Sequence, residues 1–251
     1  MVASITIENI KKQYGKKVVL KQINLTIEKG QIYGFIGPSG AGKTTLVKLI
    51  VGMDRPDSGT IHVLDEKMPN LKLLQEIGYM AQSDALYLEL TGRENIEFFA
   101  SLYQLKKTEM RNRISFITNL VNLNEDLNKK VSTYSGGMKR RLSLAIALIH
   151  NPKILILDEP TVGIDPELRL NVWNELLRLK QEENKTIIVT THVMEEAEKC
   201  DYIAMVRDGE ILTSGTPIEL KKLFDAANFD EVFLKAGGKS YENHRANEKN
   251  L

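Results

Sequence analysis

Between an apolar run, Tyr33 to Ile36, and a helical segment, Thr45 to Gly52, the chain reads Gly37-Pro38-Ser39-Gly40-Ala41-Gly42-Lys43-Thr44. Few short stretches restrict a fold as tightly. The glycines let successive backbone N–H groups wrap around one anion without side-chain interference, and a helix starting there turns its positive end toward the same anion. The GxxxxGK[ST] spacing carries this meaning only between a strand and a helix, and this segment has both. Lys43 is placed to hold β- and γ-phosphates and Thr44 to offer its hydroxyl to Mg2+, so Gly37 to Thr45 predicts a nucleoside triphosphate site.

Ile5-Thr6-Ile7 and Ile23 to Ile27 alternate apolar and polar residues, with Gly15 between them and Lys29-Gly30 after them, which predicts an antiparallel β layer. Tyr33 to Ile36, Ile154 to Leu157 and Thr186 to Thr190 are instead continuously apolar or β-branched, the composition of strands covered on both faces. They predict a buried parallel sheet. The stretch from about 85 to 150 has helical spacing and almost no strand signal, which predicts an inserted helical lobe. The fold class is therefore α/β, with a P-loop nucleotide hydrolase core, an antiparallel β layer and that lobe. Thr216-Pro217-Ile218-Glu219 predicts a helix start with a reciprocal cap. Beyond Phe224 the chain turns polar, ending in KSYENHRANEKNL, and a frayed tail is expected there. The domain reading is one nucleotide-binding domain over about 1–225, its core formed by about 1–84 and 151–225, with an extension over about 226–251 that is partly flexible.

The second apolar run ends in Asp158-Glu159, which puts Asp158 at the carboxyl end of a buried parallel strand, where open α/β sheets hold their ligands. It is placed to hold the metal through water. Charge narrows the partners. With 34 basic and 33 acidic residues the formal charge is +1, so the global footprint of a phosphate-backbone binder is missing and no nucleic-acid partner is expected. The only cysteine, Cys200, reads as a small buried hydrophobe. No targeting segment is expected, because MVASITIENIKKQYG has no apolar stretch of signal-peptide length, and no membrane span, because Leu142 to Pro160, the most apolar region, is broken by His150, Asn151, Pro152 and Lys153, short of the roughly 18 to 20 apolar residues a crossing needs.

Ser135-Gly136-Gly137-Met138-Lys139 lies upstream of the acidic strand and opens a helical stripe of Leu142, Ile146 and Ile149. A small hydroxyl and paired glycines at a helix start expose N–H groups, making a second anion-binding surface. With this motif between the cradle and the acidic strand, the chain resembles the ATP-binding cassette (ABC) family over about Ile5 to Phe224. The resemblance implies ATP and Mg2+ as cofactors, and two cassettes packed head to tail so that each Ser-Gly-Gly closes over the γ-phosphate in the other's cradle.

It also implies individual roles. Tyr14 is similar to the aromatic residue that stacks on adenine, or else it is a turn tyrosine of the β layer. Gln82, after Ile77 to Met80, resembles the glutamine that touches Mg2+ and the attacking water. Asp165, in Gly163-Ile164-Asp165-Pro166, resembles the loop that crosses the dimer interface, with isoleucine where leucine is common, and also reads as a helix cap. His192 resembles the switch histidine beside the γ-phosphate, and Glu159 the residue that orients or deprotonates the water. The implied catalytic set is Glu159, His192 and Lys43, and the metal set is Thr44, Gln82 and Asp158.

Two biological roles fit such a cassette. One is the motor of a membrane transporter, working with a separate multi-spanning permease at the cytoplasmic face of the membrane. The alternative is a soluble cassette ATPase of translation or DNA repair. One cassette without sustained heptads favours the transporter. So does the apolar segment Ala85 to Asn95, where the family forms a groove for a permease helix, although ordinary lobe packing also accounts for it. Met138-Lys139-Arg140-Arg141, Ala85 to Asn95, Thr161 to Pro166 and Asp230 to Leu234 are similar to bacterial antibiotic- and drug-resistance exporters.

Overall fold

Alternating burial starts the chain. In the computed structural model, which describes residues 3–83 and 85–248, β1 (Ala3–Tyr14) and β2 (Lys17–Glu28) form an antiparallel hairpin. Ile5, Ile7 and Ile10 of β1 and Leu20, Ile23, Leu25 and Ile27 of β2 are buried, with the period of two broken by steps of three at Ile7 to Ile10 and at Leu20 to Ile23. Tyr14 pairs with Lys17 across a tight turn in which Gly15 takes φ 58°. Register shifts on either side of Ile10 interrupt the alternation, so the sequence displays only a short run of each longer strand. β3 (Ile32–Ile36) is buried along its whole length and leads through the glycine-rich loop into α1 (Lys43–Ile50). β4 (Ser58–Val63) then pairs with the free side of β1, and β5 (Glu66–Lys67) ends the layer in the order β2-β1-β4-β5.

The chain divides into two compact units, Met1–Pro69 with Thr190–Leu251, and Asn70–Val189. In the second, β6 (Ile77–Met80) precedes three helices, α2 (Gly92–Leu102), α3 (Lys107–Leu120) and α4 (Gly136–Leu148). The start of α2 is fixed by a capping box between Thr91 and Glu94. β7 (Ile154–Asp158) runs parallel to β6, with Ile77 opposite Ile154 and Met80 opposite Leu157. α4 lies on β6 and β7. A Cβ on Gly78 would come within 2.2 Å of Ala147 O, so the helix backbone approaches the strand as only glycine permits. Because α4 rests on these strands, this unit begins near residue 70, earlier than the onset of helical periodicity in the sequence. α5 (Pro166–Glu183) and β8 (Thr186–Thr191) complete it, in the strand order β8-β7-β6.

The chain returns to the first unit within β8. There α6 (Met194–Ala197) leads to β9 (Tyr202–Arg207), which pairs in parallel with β3, and to β10 (Glu210–Gly215), which pairs antiparallel with β9. Cys200 is buried beside Gly34, where a Cβ would meet its Sγ at 2.9 Å, and burial pushes its thiol pKa up. α7 (Pro217–Leu223) starts at the Thr216/Glu219 capping box that the sequence predicts. α8 (Phe229–Glu248) follows within the stretch for which a frayed tail is expected, and residues 249–251 of that stretch lie outside the described residues. Phe229, Val232 and Ala236 recur at helical spacing and are buried, which gives a polar sequence one apolar face. Among the described residues no helix is long and apolar enough to cross a membrane.

Candidate active site

The loop after β3 takes its shape from positions where a side chain cannot fit. A Cβ on Gly37 would lie 2.0 Å from Val206 O of β9. Gly40 has φ 80° and Gly42 has φ 110°, and a Cβ on Gly42 would also meet Leu20 Cδ2 at 2.8 Å. Pro38, Ser39 and Gly40 form an exposed lip, and Ala41 and Gly42 are buried. α1 therefore starts at Gly42 with no side chain capping its first N–H groups and no acid in its first turn. Its N–H groups and dipole suit an anion. Lys43, 5% exposed, donates from Nζ to Gly37 O (2.7 Å) and Pro38 O (3.0 Å), so the ammonium is already drawn over the loop. Thr44 and Thr45 follow in the same turn, half-buried. These donors fit a chain of phosphates.

Tyr14 ends β1 in the same unit. Its hydroxyl donates to Asp54 Oδ2 at 2.5 Å and also interacts with Thr45 of α1. Lys12 Nζ donates to Asp54 Oδ1 at 2.8 Å and stands 4.9 Å from the Tyr14 ring centre. Burial and then Asp54 push the Tyr14 pKa up to about 12, and the hydrogen bonds from Lys12 and Tyr14 pull Asp54 down to about 2. The hydroxyl is thus tied to α1 and to the loop between α1 and β4. The residue is still 47% exposed, so its ring retains surface on which a flat base could stack. His192 follows β8 and is exposed, and the Val193 N–H donates to Thr191 Oγ1 at 3.0 Å, which fixes the turn that carries the imidazole.

The second unit gathers the acidic residues and the glutamine. Asp158, fully buried, closes β7, and Glu159 follows with φ 55°. A glutamate rarely adopts this left-handed conformation, and such strain persists only where neighbours enforce it. The β6/β7 register aligns Met80 with Leu157, so the chain leaves both strands side by side, toward Gln82 and Glu159. The Arg140 guanidinium joins the two exits. Its Nη1 donates to Ala81 O (2.7 Å) and Gln82 O (3.0 Å), and its Nη2 to Glu159 O (2.7 Å) and to Asp158 O. The Gln82 side chain is exposed beyond this clamp. Tyr79 on β6 lies near enough for the Asp158 charge to add to the burial that raises its pKa to about 12.

Ser135 caps α4, its Oγ accepting from the Met138 N–H at 3.2 Å. Ser135 and Gly136 are exposed, and a Cβ added to Gly136 would meet only open space. At Gly137 the same atom would come within 2.9 Å of Gly163 O, so the Ser-Gly-Gly turn packs against the loop that leads to Asp165. Asp165 caps α5 by accepting from the Leu168 N–H at 2.9 Å, with Pro166 following, as the residue types imply.

The first unit therefore holds Tyr14, Gly37 to Thr45 and His192. The second holds Gln82, Ser135 to Gly137, Asp158, Glu159 and Asp165. Arg140 is the residue sequence reasoning passed over. Leu142, Ile146 and Ile149 form the obvious stripe, yet Ile146 is only half-buried, and the helix also buries Arg140 with Leu144, Ala147 and Leu148. That second face, spaced as i, i+4, i+7 and i+8, is the signal that marks an inward arginine. Among the described residues no group of three or more His, Cys, Asp or Glu side chains could hold a metal alone. Thr44 in the first unit, and Gln82 and Asp158 in the second, each carry an oxygen donor of the hard kind that Mg2+ takes.

The family model described as ABC transporter matches residues 20–162. The chain is 42% identical over 218 residues to the linearmycin resistance ATP-binding protein LnrL of Bacillus subtilis, covering 85% of this chain and 69% of that protein. It is 39% identical over 219 residues to the Nod factor export ATP-binding protein I of Burkholderia orbicola, covering 86% and 72%. Against ABC transporter G family member 23 of Dictyostelium discoideum, identity is 40% over 235 residues, covering 92% of this chain and only 33% of that protein. The chain thus spans about two thirds of the bacterial relatives and a third of the Dictyostelium one. Among solved structures it is similar to an ATP-binding subunit of an ABC transporter, with TM-score 0.86, 25% identity and coverage of 93% and 99%. It is also similar to a dimeric post-hydrolysis state of the ATP-binding cassette MJ0796 bound to ADP and Pi, with TM-score 0.79, 29% identity and coverage of 84% and 98%.

Proposed function

Since this chain belongs to the ABC transporter family and carries its ATP-hydrolysing cassette, we propose that it powers a separate multi-spanning permease that exports drugs, antibiotics or lipid-like molecules. The observation that carries this reading is the Gly37–Thr45 loop, whose positive-φ glycines deliver an uncapped helix start and a buried ammonium to one place. On binding ATP, Lys43 exchanges the carbonyls of Gly37 and Pro38 for β- and γ-phosphate oxygens, and the N–H groups from Gly40 to Thr45 wrap the phosphates. Tyr14 offers its ring to adenine. Mg2+ would be held by Thr44, by Gln82 and, through water, by Asp158, and would neutralise charge on the β- and γ-phosphates. Glu159 orients or deprotonates the attacking water, in line with the leaving ADP. His192, directly after β8, stabilises charge on the γ-phosphate.

A second cassette completes the reaction. Exposed Ser135 and Gly136 at the head of α4 offer their N–H groups to the γ-phosphate bound by a partner, and the Gly163-to-Asp165 loop lies next to Gly137 on the surface that partner would meet. The permease is assigned the surface of Tyr87, Leu88 and Phe98, all large and exposed. Buried Asn95 fixes the backbone there, donating from Nδ2 to Tyr87 O (3.0 Å) and Thr91 O (2.9 Å). In this reading the chain sits at the cytoplasmic face of the membrane, and export draws on the names of the relatives at 42% and 39% identity, a resistance protein and an export protein.

The test is to tag the chain in its native host, solubilise membranes gently and identify what co-purifies. A stoichiometric multi-spanning membrane protein is expected. Ribosomes or DNA-repair proteins in its place would transfer the chain to the soluble branch of the family.

A further inference from the structure

The helix that presents Ser135 and Gly136 at its start buries an arginine little more than one turn later. Arg140 is 7% exposed, and its guanidinium spans the ends of two neighbouring parallel strands, reaching Ala81 O and Gln82 O after β6 and Asp158 O and Glu159 O at and after β7. Carbonyls that leave a parallel sheet lose their ladder donors, and a buried carbonyl needs a replacement. A planar fork of fixed donors suits this task, because it fixes the separation and the orientation of its acceptors together.

From this geometry we infer that Arg140 is a positioning residue for hydrolysis, setting the backbone of Gln82 and Glu159 so that their side chains meet the attacking water. The inference rests on the roles proposed above for those two residues. Glu159 is the telling partner. Its φ of 55° is one that glutamate adopts only under constraint, and the Arg140 bond to its own carbonyl at 2.7 Å supplies one. Without the fork, both strand exits relax, and the carboxylate and the amide move with them. A displacement of about 1 Å at a reacting group is enough for a loss of roughly 10²-fold. The cradle that binds ATP is built from other residues, Gly37 to Thr45, so affinity should not follow turnover.

The test uses the full chain with Arg140→Gln and Arg140→Lys, each alone and combined with Glu159→Gln. Turnover, equilibrium binding of ATP and thermal unfolding are measured for all. Arg140→Gln is expected to lower kcat by roughly 10- to 100-fold with ATP affinity unchanged. Arg140→Lys should lose less, keeping the charge but not the fork. In the Glu159→Gln background, Arg140→Gln should slow the residual rate by less than it slows wild type, because one of the two groups it positions is already gone and only Gln82 is left to misplace. Wild-type turnover in both Arg140 variants, while Glu159→Gln is inactive, overturns the positioning role and leaves the assignment of Glu159 intact. Near-normal hydrolysis by Glu159→Gln alone overturns that assignment instead. Parallel losses of turnover, ATP affinity and unfolding temperature, or losses that multiply in the double variant, mark Arg140 as merely structural and also overturn the inference.

Discussion

Two adjacent glycines at the head of α4 should respond to the same substitution in opposite ways. Replacing glycine by alanine in a helix stabilises by roughly 0.5–1 kcal/mol. At Gly136 nothing opposes that gain, since an added Cβ has no neighbour within 4 Å. Gly136→Ala should therefore raise the unfolding temperature by about 1–4 °C for a domain of this size. At Gly137 the Cβ would stand 2.9 Å from Gly163 O, a backbone atom that can only yield by moving its loop. Overpacking of that kind costs about 1–3 kcal/mol, so Gly137→Ala should end up destabilised by up to about 2 kcal/mol. If the N–H groups here serve a second cassette's nucleotide, Gly136→Ala will combine higher stability and unchanged ATP binding with slower hydrolysis. Calorimetry, equilibrium nucleotide binding and phosphate release on the purified chain measure all three. Equal stabilisation of both variants would refute the contact argument, and undiminished hydrolysis by Gly136→Ala would refute the intersubunit role of this surface.

Other outcomes follow from the first unit. Asp54 is held at about 2, below its ordinary 3.8, by the hydrogen bonds of Lys12 and Tyr14. A depressed carboxylate contributes stability above pH 4 and loses it as pH falls toward 2. Discounted for solvent screening, this contribution is about 1 kcal/mol. Wild type should therefore melt about 2–4 °C above Asp54→Asn at pH 6, and the gap should close below pH 4. A gap independent of pH would dismiss the ion pair as its source. Gly42→Ala places a Cβ at φ 110° and 2.8 Å from Leu20 Cδ2, so equilibrium titration should show ATP affinity falling at least about tenfold as the cradle deforms. Unchanged affinity would mean that the loop's shape is not what binds phosphate.

The cradle, the hairpin and the caps at Asp165 and Thr216 are legible in the sequence because each is a local bargain between neighbouring residues. Glycines answer to the loop's own φ angles, alternation answers to one strand's two faces, and a cap lies three residues from the N–H it accepts. What could not be read comes from distant partners. Arg140 looks like one surface charge in a basic run, and its acceptors lie 18 to 59 residues away. Tyr14 finds Asp54 forty residues later in the chain, which is why its anchoring was invisible beside its exposed ring. The compact units are set by α4 lying on β6 and β7, a contact that Gly78 permits and helical periodicity does not reveal. α8 escaped notice because three buried residues, Phe229, Val232 and Ala236, supply its apolar face within a polar composition.

The central claim is that Glu159, held at the end of β7, activates water for attack on ATP bound by the Gly37–Thr45 loop. Its most direct test is the steady-state turnover of Glu159→Gln beside its equilibrium binding of ATP. The account predicts hydrolysis slowed by roughly 10²- to 10⁴-fold with binding intact. Near-normal hydrolysis by that variant would contradict it.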